Sequence, residues 1–253
     1  MRTKIRIFLS LLSAKTNTYM LIVLEGLDGA GKSTQVKKLK EYLLDKGVNL
    51  RYLHFPRYDA PLYGDLIGKY LRGDLGSIEQ VHPQIVALLF ALDRMDASDQ
   101  IKKWLEAGDC VLLDRYVYSN IAYQCSKIMM QPQFGENRRE KAQELRNWIF
   151  DTEYNKYGIP RPDLNLFLDV PISFVDSKLK ESRSGDDDRD YLNGKEDIHE
   201  ADIQFQIYVR EMYLEQTKAD EGFVRVHCED AQGNMLPPDD IFNNIKEQVD
   251  KLF

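Results

Sequence analysis

Short apolar runs alternate along the chain with longer segments of mixed polarity. The first run, residues 20–24, contains no polar side chain, which is typical of a parallel strand buried on both faces. The next segment, 33–46, places Val36 and Leu39 on one face at helical spacing and stops before Gly47. This pattern predicts a strand followed by a helix.

The same alternation continues to the carboxyl end of the chain. It predicts a single α/β domain over 20–253, with a doubly wound, parallel, five-stranded sheet flanked by helices. An acidic stretch between two helices, about 182–197, is predicted to form a mobile lid loop. The other predicted strands are 50–55, 110–114, 164–168 and 223–226, and a long helical zone covers 82–107.

Composition narrows the classes of function. The 253 residues are 43% hydrophobic and 30% charged, as in ordinary globular proteins. A net charge of −7 argues against a nucleic-acid polymer as partner, because such ligands call for a basic face. The three cysteines and four histidines are scattered, so we expect no zinc site, and this cysteine usage fits the reducing cytoplasm.

Residues 1–19 differ from the rest of the chain. Three basic residues precede the apolar stretch 7–12, an arrangement that is similar to a secretory signal. The stretch is too short to cross a bilayer, no small-residue cleavage site follows it, and Met20 stands directly before the first strand. We therefore expect an N-terminal extension without functional weight and no membrane association; a targeting peptide is the alternative.

The strongest chemical signal is GLDGAGKS at residues 26–33, which matches the phosphate-binding loop G-x-x-x-x-G-K-[ST] between a predicted strand and a predicted helix. Its glycines let backbone N–H groups surround a polyphosphate, and the helix N-terminus adds partial positive charge. Lys32 is expected to reach the terminal phosphates, and the Ser33 hydroxyl to bind Mg²⁺. The predicted triphosphate contacts are Gly26, Leu27, Asp28, Gly29, Ala30, Gly31, Lys32, Ser33 and Thr34.

Two other segments are expected beside this loop. The carboxyl ends of parallel strands meet at one edge of a sheet, which brings 55–58 and 114–116 to the same crevice. Asp114 ends an apolar strand, where phosphate-loop enzymes place a second carboxylate that orders Mg²⁺; a helix N-cap is the alternative. A GTPase and a calcium loop are disfavoured, because 155–158 lacks the base-reading aspartate and 186–197 lacks the required glycine and glutamate.

Seven motifs occur in order along 20–253. They are EGLDGAGKST at 25–34, FPRY at 55–58, LDR at 92–94, DRY at 114–116, SNIAY at 119–123, RPDL at 161–164 and LDVP at 168–171. In this combination the chain resembles the thymidylate kinase (dTMP kinase) family, in its bacterial type. The resemblance implies transfer of the γ-phosphate of ATP to dTMP, which gives ADP and dTDP for dTTP synthesis. It also implies Mg²⁺ as cofactor and a cytoplasmic homodimer.

The resemblance also assigns residues to the acceptor site. Phe55 offers a flat face for thymine, and Arg94 and Asn120 offer hydrogen-bonding groups to the base edge. Strand-end packing of Phe55, helix-surface polarity of Arg94 and Asn120, and a buried structural role for Tyr123 are the alternatives. The implied dTMP contacts are Asp28, Phe55, Arg57, Tyr58, Arg94, Arg115, Asn120 and Tyr123, and the implied metal ligands are Ser33, Asp28 and Asp114.

Two departures from the family pattern bear on catalysis. Gly29 stands where eukaryotic members usually carry an arginine, whereas bacterial members commonly supply that cation from the lid. We therefore hypothesise that Arg183 or Arg189, with Lys195 in reserve, acts with Lys32, Asp28 and Arg115 by closing over the phosphates; loop solubility is the alternative. His199 replaces an aromatic residue that the family favours.

Two other functions stay open at this stage. A kinase for another nucleoside or nucleoside monophosphate would differ in its base-reading residues. A regulatory module that hydrolyses ATP without transfer would show a damaged acceptor site or lack the loop lysine. The apolar stretch 86–92 is compatible with either a dimer interface or the core.

Overall fold

A computed structural model describes residues 19–182, 192–193, 195, 197–199 and 202–253. All five predicted strands are present and form one parallel sheet in the order β2-β3-β1-β4-β5, flanked by helices, so the predicted fold is confirmed. The strands are β1 Met20–Gly26, β2 Leu50–His54, β3 Cys110–Asp114, β4 Leu164–Asp169 and β5 Phe223–His227. The helices are α1 Lys32–Asp45, α2 Tyr63–Leu71, α3 Pro83–Glu106, α4 Val117–Met130, α5 Arg138–Phe150, α6 Ile172–Ser182, α7 Ile203–Ala219 and α8 Pro238–Val249.

The strand register brings the chemistry to one edge of the sheet. Leu24 of β1 lies opposite Asp114 of β3, and Asp114 in turn lies opposite His54 of β2. The loops that follow β1, β2 and β3 therefore begin at the same level, as the doubly wound pattern predicts.

The core lies on both faces of the three central strands. Every residue of β1, β3 and β4 is buried, whereas the edge strands β2 and β5 are partly exposed. Helices α1 and α8 pack together, while α4 packs against α3, α5 and α7. The unbroken apolar runs in the sequence follow from this burial of the central strands on two faces.

Helix α2 was not among the predicted elements. Gly64 in its first turn lies so close to the preceding loop that an added Cβ would be 2.4 Å from the carbonyl oxygen of Arg57 and 2.6 Å from that of Tyr58. A side chain cannot fit there, so glycine fixes the approach of α2 to this loop. The close approach holds the segment after β2 against the helix.

Several sequence expectations fall at the limits of the described chain. Apart from Tyr19, the N-terminal extension lies outside the described residues, as do Arg183 and Arg189 of the lid. Within the described part of the chain, no helix is both long enough and apolar enough to cross a membrane.

Candidate active site

The loop after β1 takes the backbone shape that its glycines permit. Gly29 and Gly31 have φ values of 71° and 74°, a region that residues with a Cβ rarely adopt, and Gly31 is the N-cap of α1. The partly buried Lys32 donates from Nζ to the carbonyl oxygen of Leu27 at 2.8 Å and more weakly to that of Gly26 at 3.4 Å. Burial and the neighbouring Arg115 lower the pKa of Lys32 to about 8.

Arg115 joins this loop to the segment after β3. Its Nη1 donates to the carbonyl oxygen of Gly26 at 2.9 Å and to Oγ of Ser119 at 3.1 Å. Its Nη2 donates to Oδ1 of Asp28 at 2.5 Å and lies 3.3 Å from the Tyr123 hydroxyl. Arg115 has φ 67°, so its backbone is held in a strained conformation that these contacts stabilise.

Asp28 lies at the centre of the same network. The Tyr123 hydroxyl donates to its Oδ2 at 2.6 Å, and Gln206 Nε2 lies 3.4 Å from the same oxygen. Burial alone would raise the pKa of this carboxyl, but Arg115 and Lys32 outweigh burial and lower it. Asp28 is therefore an anion that two neighbouring cations stabilise.

Glu25 fixes the segment that carries Arg115. This fully buried carboxylate accepts from the backbone N–H of Tyr116 at 2.9 Å and of Ser119 at 3.2 Å, which are donors at the start of α4. It also accepts from the Ser119 hydroxyl at 2.5 Å and the Tyr213 hydroxyl at 3.1 Å. Glu25 therefore caps α4 from a neighbouring strand. A charged residue inside an apolar strand was the signal that could have singled it out.

Asp114 is the carboxylate with the clearest capacity for a further ligand. It is 6% exposed, and its Oδ1 is buried with no hydrogen-bond partner among the described residues. A buried carboxylate oxygen is costly to leave unsatisfied, so this atom fits a role beside a cation. Among the residues that the structure describes, no group of three or more histidine, cysteine, aspartate or glutamate side chains is placed to hold a metal ion.

A pocket opens next to this network and contains most of the predicted acceptor residues. Phe55 forms part of its wall, with its ring 5.8 Å from that of Tyr116. Seven of the eight predicted dTMP contacts line the pocket, the exception being Arg57. The lining residues are Asp28, Phe55, Pro56, Tyr58, Leu71, Phe90, Arg94, Arg115, Ser119, Asn120, Tyr123, Gln124, Asp197 and His199.

Arg57 is not among the residues that line the pocket. Its Nε donates to Oδ1 of Asp93 at 2.9 Å and its Nη2 to Oδ2 of Asp96 at 2.6 Å. Its backbone N–H also donates to Asp93. In this arrangement Arg57 fixes the loop after β2 to α3, and its predicted phosphate contact stays a prediction.

One end of the pocket, called the closed end here, is formed by the buried polar side chains of Arg94 and Asn120. Arg94 donates from Nε and Nη2 to both carboxylate oxygens of Glu153, at 2.5 and 2.8 Å. Asn120 donates from Nδ2 to Glu153 at 3.0 Å and to the carbonyl oxygen of Ala87 at 3.0 Å. Glu153 lies in a π-helical turn after α5, in a polar stretch where no sequence signal marked it.

His199 closes the pocket from the segment before α7. It is 4% exposed, its ring centroid lies 5.3 Å from that of Tyr123, and its backbone N–H donates to Asp197 at 2.8 Å. Burial, with the nearby Lys127 and Arg115, lowers the pKa of His199, so the imidazole is neutral. Lys195, the reserve lid cation, forms an ion pair with Asp74 at 2.6 Å.

Comparisons with known proteins cover most of the chain. A sequence model of the family described as "Thymidylate kinase" matches residues 24–235. A thymidylate kinase of Mycobacterium tuberculosis is 33% identical over 78% of this chain and 85% of its own length, and a probable thymidylate kinase of Methanosphaera stadtmanae is 32% identical over 92% and 98%. A solved thymidylate kinase structure from Candida albicans is 28% identical, with a TM-score of 0.64 and coverage of 92% of this chain and 91% of that one. The chain therefore belongs to the thymidylate kinase family, the enzymes that phosphorylate dTMP to dTDP.

Proposed function

We propose that the pocket beside Arg115 binds dTMP and that the loop 26–34 binds the polyphosphate of ATP. The observation that carries this assignment is the position of Arg115, whose guanidinium lines the pocket and also donates to Gly26 and Asp28 of the loop. A single cation thereby touches both sites. Two phosphate groups bound on its two sides would meet end to end, as phosphoryl transfer requires.

The reaction needs positioning more than proton transfer. The attacking group is a phosphate oxygen that is already anionic, so no general base has to act on it. Lys32 neutralises the transferred phosphoryl group, while Arg115 and Tyr58 hold the acceptor phosphate in line. Asp28, fixed by Arg115 and Tyr123, orients the sugar end of the nucleotide.

Mg²⁺ fits the residues at this edge of the sheet. We assign the buried Oδ1 of Asp114 and the exposed hydroxyl of Ser33 to the ion, with Asp28 in support. When bound, the ion neutralises charge on the β- and γ-phosphate oxygens. Asp114 contributes a carboxylate at a fixed position, because it ends a strand that is buried at every residue.

The closed end of the pocket is suited to thymine. Both N–H groups of Asn120 are used by Glu153 and Ala87, which leaves its Oδ1 as an acceptor, and this oxygen has no partner among the residues that the structure describes. Thymine presents an N3–H donor next to carbonyl oxygens, whereas cytosine presents an acceptor at N3. The Asn120 oxygen accepts a hydrogen bond from the N3–H of thymine and repels the N3 acceptor of cytosine.

Three finer assignments complete the proposal. Arg183 or Arg189 supplies a cation from the lid, in the region 182–197. The domain 20–253 works as a cytoplasmic homodimer, and residues 1–19 carry no part of the catalysis. Size-exclusion chromatography with light scattering tests the dimer. ADP release by the full chain and by one starting at Met20 tests the assignment of residues 1–19.

A panel of acceptors tests the site assignment. ADP release is measured with dTMP, dUMP, dCMP, AMP and GMP at equal concentration. We expect dTMP to be the best acceptor and dCMP to be poor. A preference for either purine nucleotide would refute the assignment of Phe55, Arg94 and Asn120 to a pyrimidine.

A further inference from the structure

Glu153 lies behind the lining of the pocket and is a hydrogen-bond partner of both Arg94 and Asn120. Its side chain is fully buried, and its three hydrogen bonds go to the two side chains that face the base. We propose that Glu153 is a positioning residue that sets the base specificity of the enzyme, although it does not itself touch the nucleotide. This inference rests on the proposed binding of thymine between Arg94 and Asn120.

The first step concerns the orientation of Asn120. A side-chain amide can turn by 180° and exchange its donor and acceptor ends. Here the amide nitrogen lies between two acceptors, Glu153 Oε1 and the Ala87 carbonyl oxygen, each at 3.0 Å. Turning the amide would place an oxygen against both acceptors. Glu153 therefore helps to hold Oδ1 as the group that remains for the ligand.

The second step concerns Arg94. Glu153 takes the Nε and Nη2 donors through both of its carboxylate oxygens, which fixes the plane of the guanidinium. Nη1 is the nitrogen of this side chain that Glu153 leaves for a carbonyl oxygen in the pocket. Because Arg94 is 2% exposed, its charge also depends on this buried partner.

Together the two side chains present a donor beside an acceptor. That order matches the O4 carbonyl and N3–H of thymine and opposes the amino group and N3 of cytosine. Because the Glu153 carboxylate fixes both Arg94 and Asn120, the donor and the acceptor keep their positions relative to each other. Glu153 thus selects pyrimidines that carry an N3–H, even though it is one layer behind the binding surface.

The substitution Glu153→Gln tests this role because it keeps the size and shape of the side chain while it removes the charge that faces Arg94 and changes the hydrogen-bond pattern. Whichever way the new amide turns, its NH₂ faces a donor of Arg94 or Asn120, and one of the two must move. We expect the ratio of kcat/KM for dTMP to kcat/KM for dCMP to fall about tenfold or more, mainly through KM for dTMP. KM for ATP should change less than threefold.

A matched control and a double mutant separate positioning from a general loss of stability. Asp109→Asn removes a carboxylate from the Arg51 ion pair at the opposite edge of the sheet, and should leave the ratio unchanged. In an Asn120→Ala background the effect of E153Q on the ratio should shrink, because Glu153 acts in part through Asn120. If E153Q is not recovered folded, E153D replaces it with the same expected direction.

The outcomes distinguish this inference from the proposed function. A wild-type enzyme that prefers another acceptor refutes the site assignment. A wild type that prefers dTMP, with E153Q folded and its dTMP-to-dCMP ratio within threefold of wild type, refutes the role of Glu153 alone. A lower melting temperature with an unchanged ratio would likewise make Glu153 a structural residue and overturn the proposal.

Discussion

Arg115→Lys is the substitution that most directly tests the coupling of the two sites. Arginine makes four contacts from two separate nitrogens, to Gly26, Asp28, Ser119 and Tyr123. Lysine keeps the charge but offers one nitrogen, which cannot reach partners on both sides. Both residues carry a Cβ, so the strain at φ 67° is unchanged. The variant therefore tests the loss of hydrogen bonds from two separate guanidinium nitrogens, with the charge and the backbone strain unchanged.

The magnitude follows from the contacts that are lost. If lysine keeps the ion pair with Asp28, at least two of the other hydrogen bonds disappear, each contributing about 1 kcal/mol. A total of about 2 kcal/mol corresponds to roughly a 30-fold decrease in kcat/KM for dTMP, because 1.4 kcal/mol is a factor of ten. We expect a smaller change in KM for ATP, since Lys32 and the loop backbone remain in place.

The assay is ADP release at varied dTMP and at varied ATP, with thermal unfolding measured on the same preparations. Arg51→Lys is the matched control, because Arg51 pairs with Asp109 at the far edge of the sheet and is half exposed. That change should alter kcat/KM less than twofold. If folded Arg115→Lys retains kcat/KM for dTMP within threefold of wild type, the role given to the guanidinium fork is wrong.

Three further predictions concern the cations of the site. Lys32→Ala should lower kcat by about 10³-fold or more while the melting temperature stays within a few degrees, because we assign Lys32 to phosphate binding and it is not part of the core. Substantial turnover would contradict this assignment. Because the pKa of Lys32 is lowered to about 8, kcat/KM for ATP should fall as the pH rises through that value and the ammonium loses its proton. A flat profile from pH 7 to 9.5 would argue against a role for the Lys32 charge in ATP binding. Arg183→Ala or Arg189→Ala should slow kcat about tenfold or more, with Lys180→Ala on the exposed side of α6 as control, and two fully active variants would remove the lid hypothesis.

The sequence by itself determined the fold and the triphosphate loop. Burial of the central strands on both faces favours predominantly apolar runs, and these are visible without any tertiary information. The loop 26–33 is likewise local, because its glycines, lysine and serine act within one continuous segment. Motif order then pointed to Phe55, Arg94, Arg115 and Asn120, which the structure gathers around one pocket.

Tertiary structure alone decided which partners hold those residues. Glu25 caps α4 from another element, and Glu153 reaches Arg94 from 59 positions away, so neither contact has a spacing that a sequence pattern could reveal. The partners of Arg57, two carboxylates on α3, were decided in the same way. The physical reason is that a buried charge needs a partner in space, and the chain can supply that partner from any element that the fold brings near.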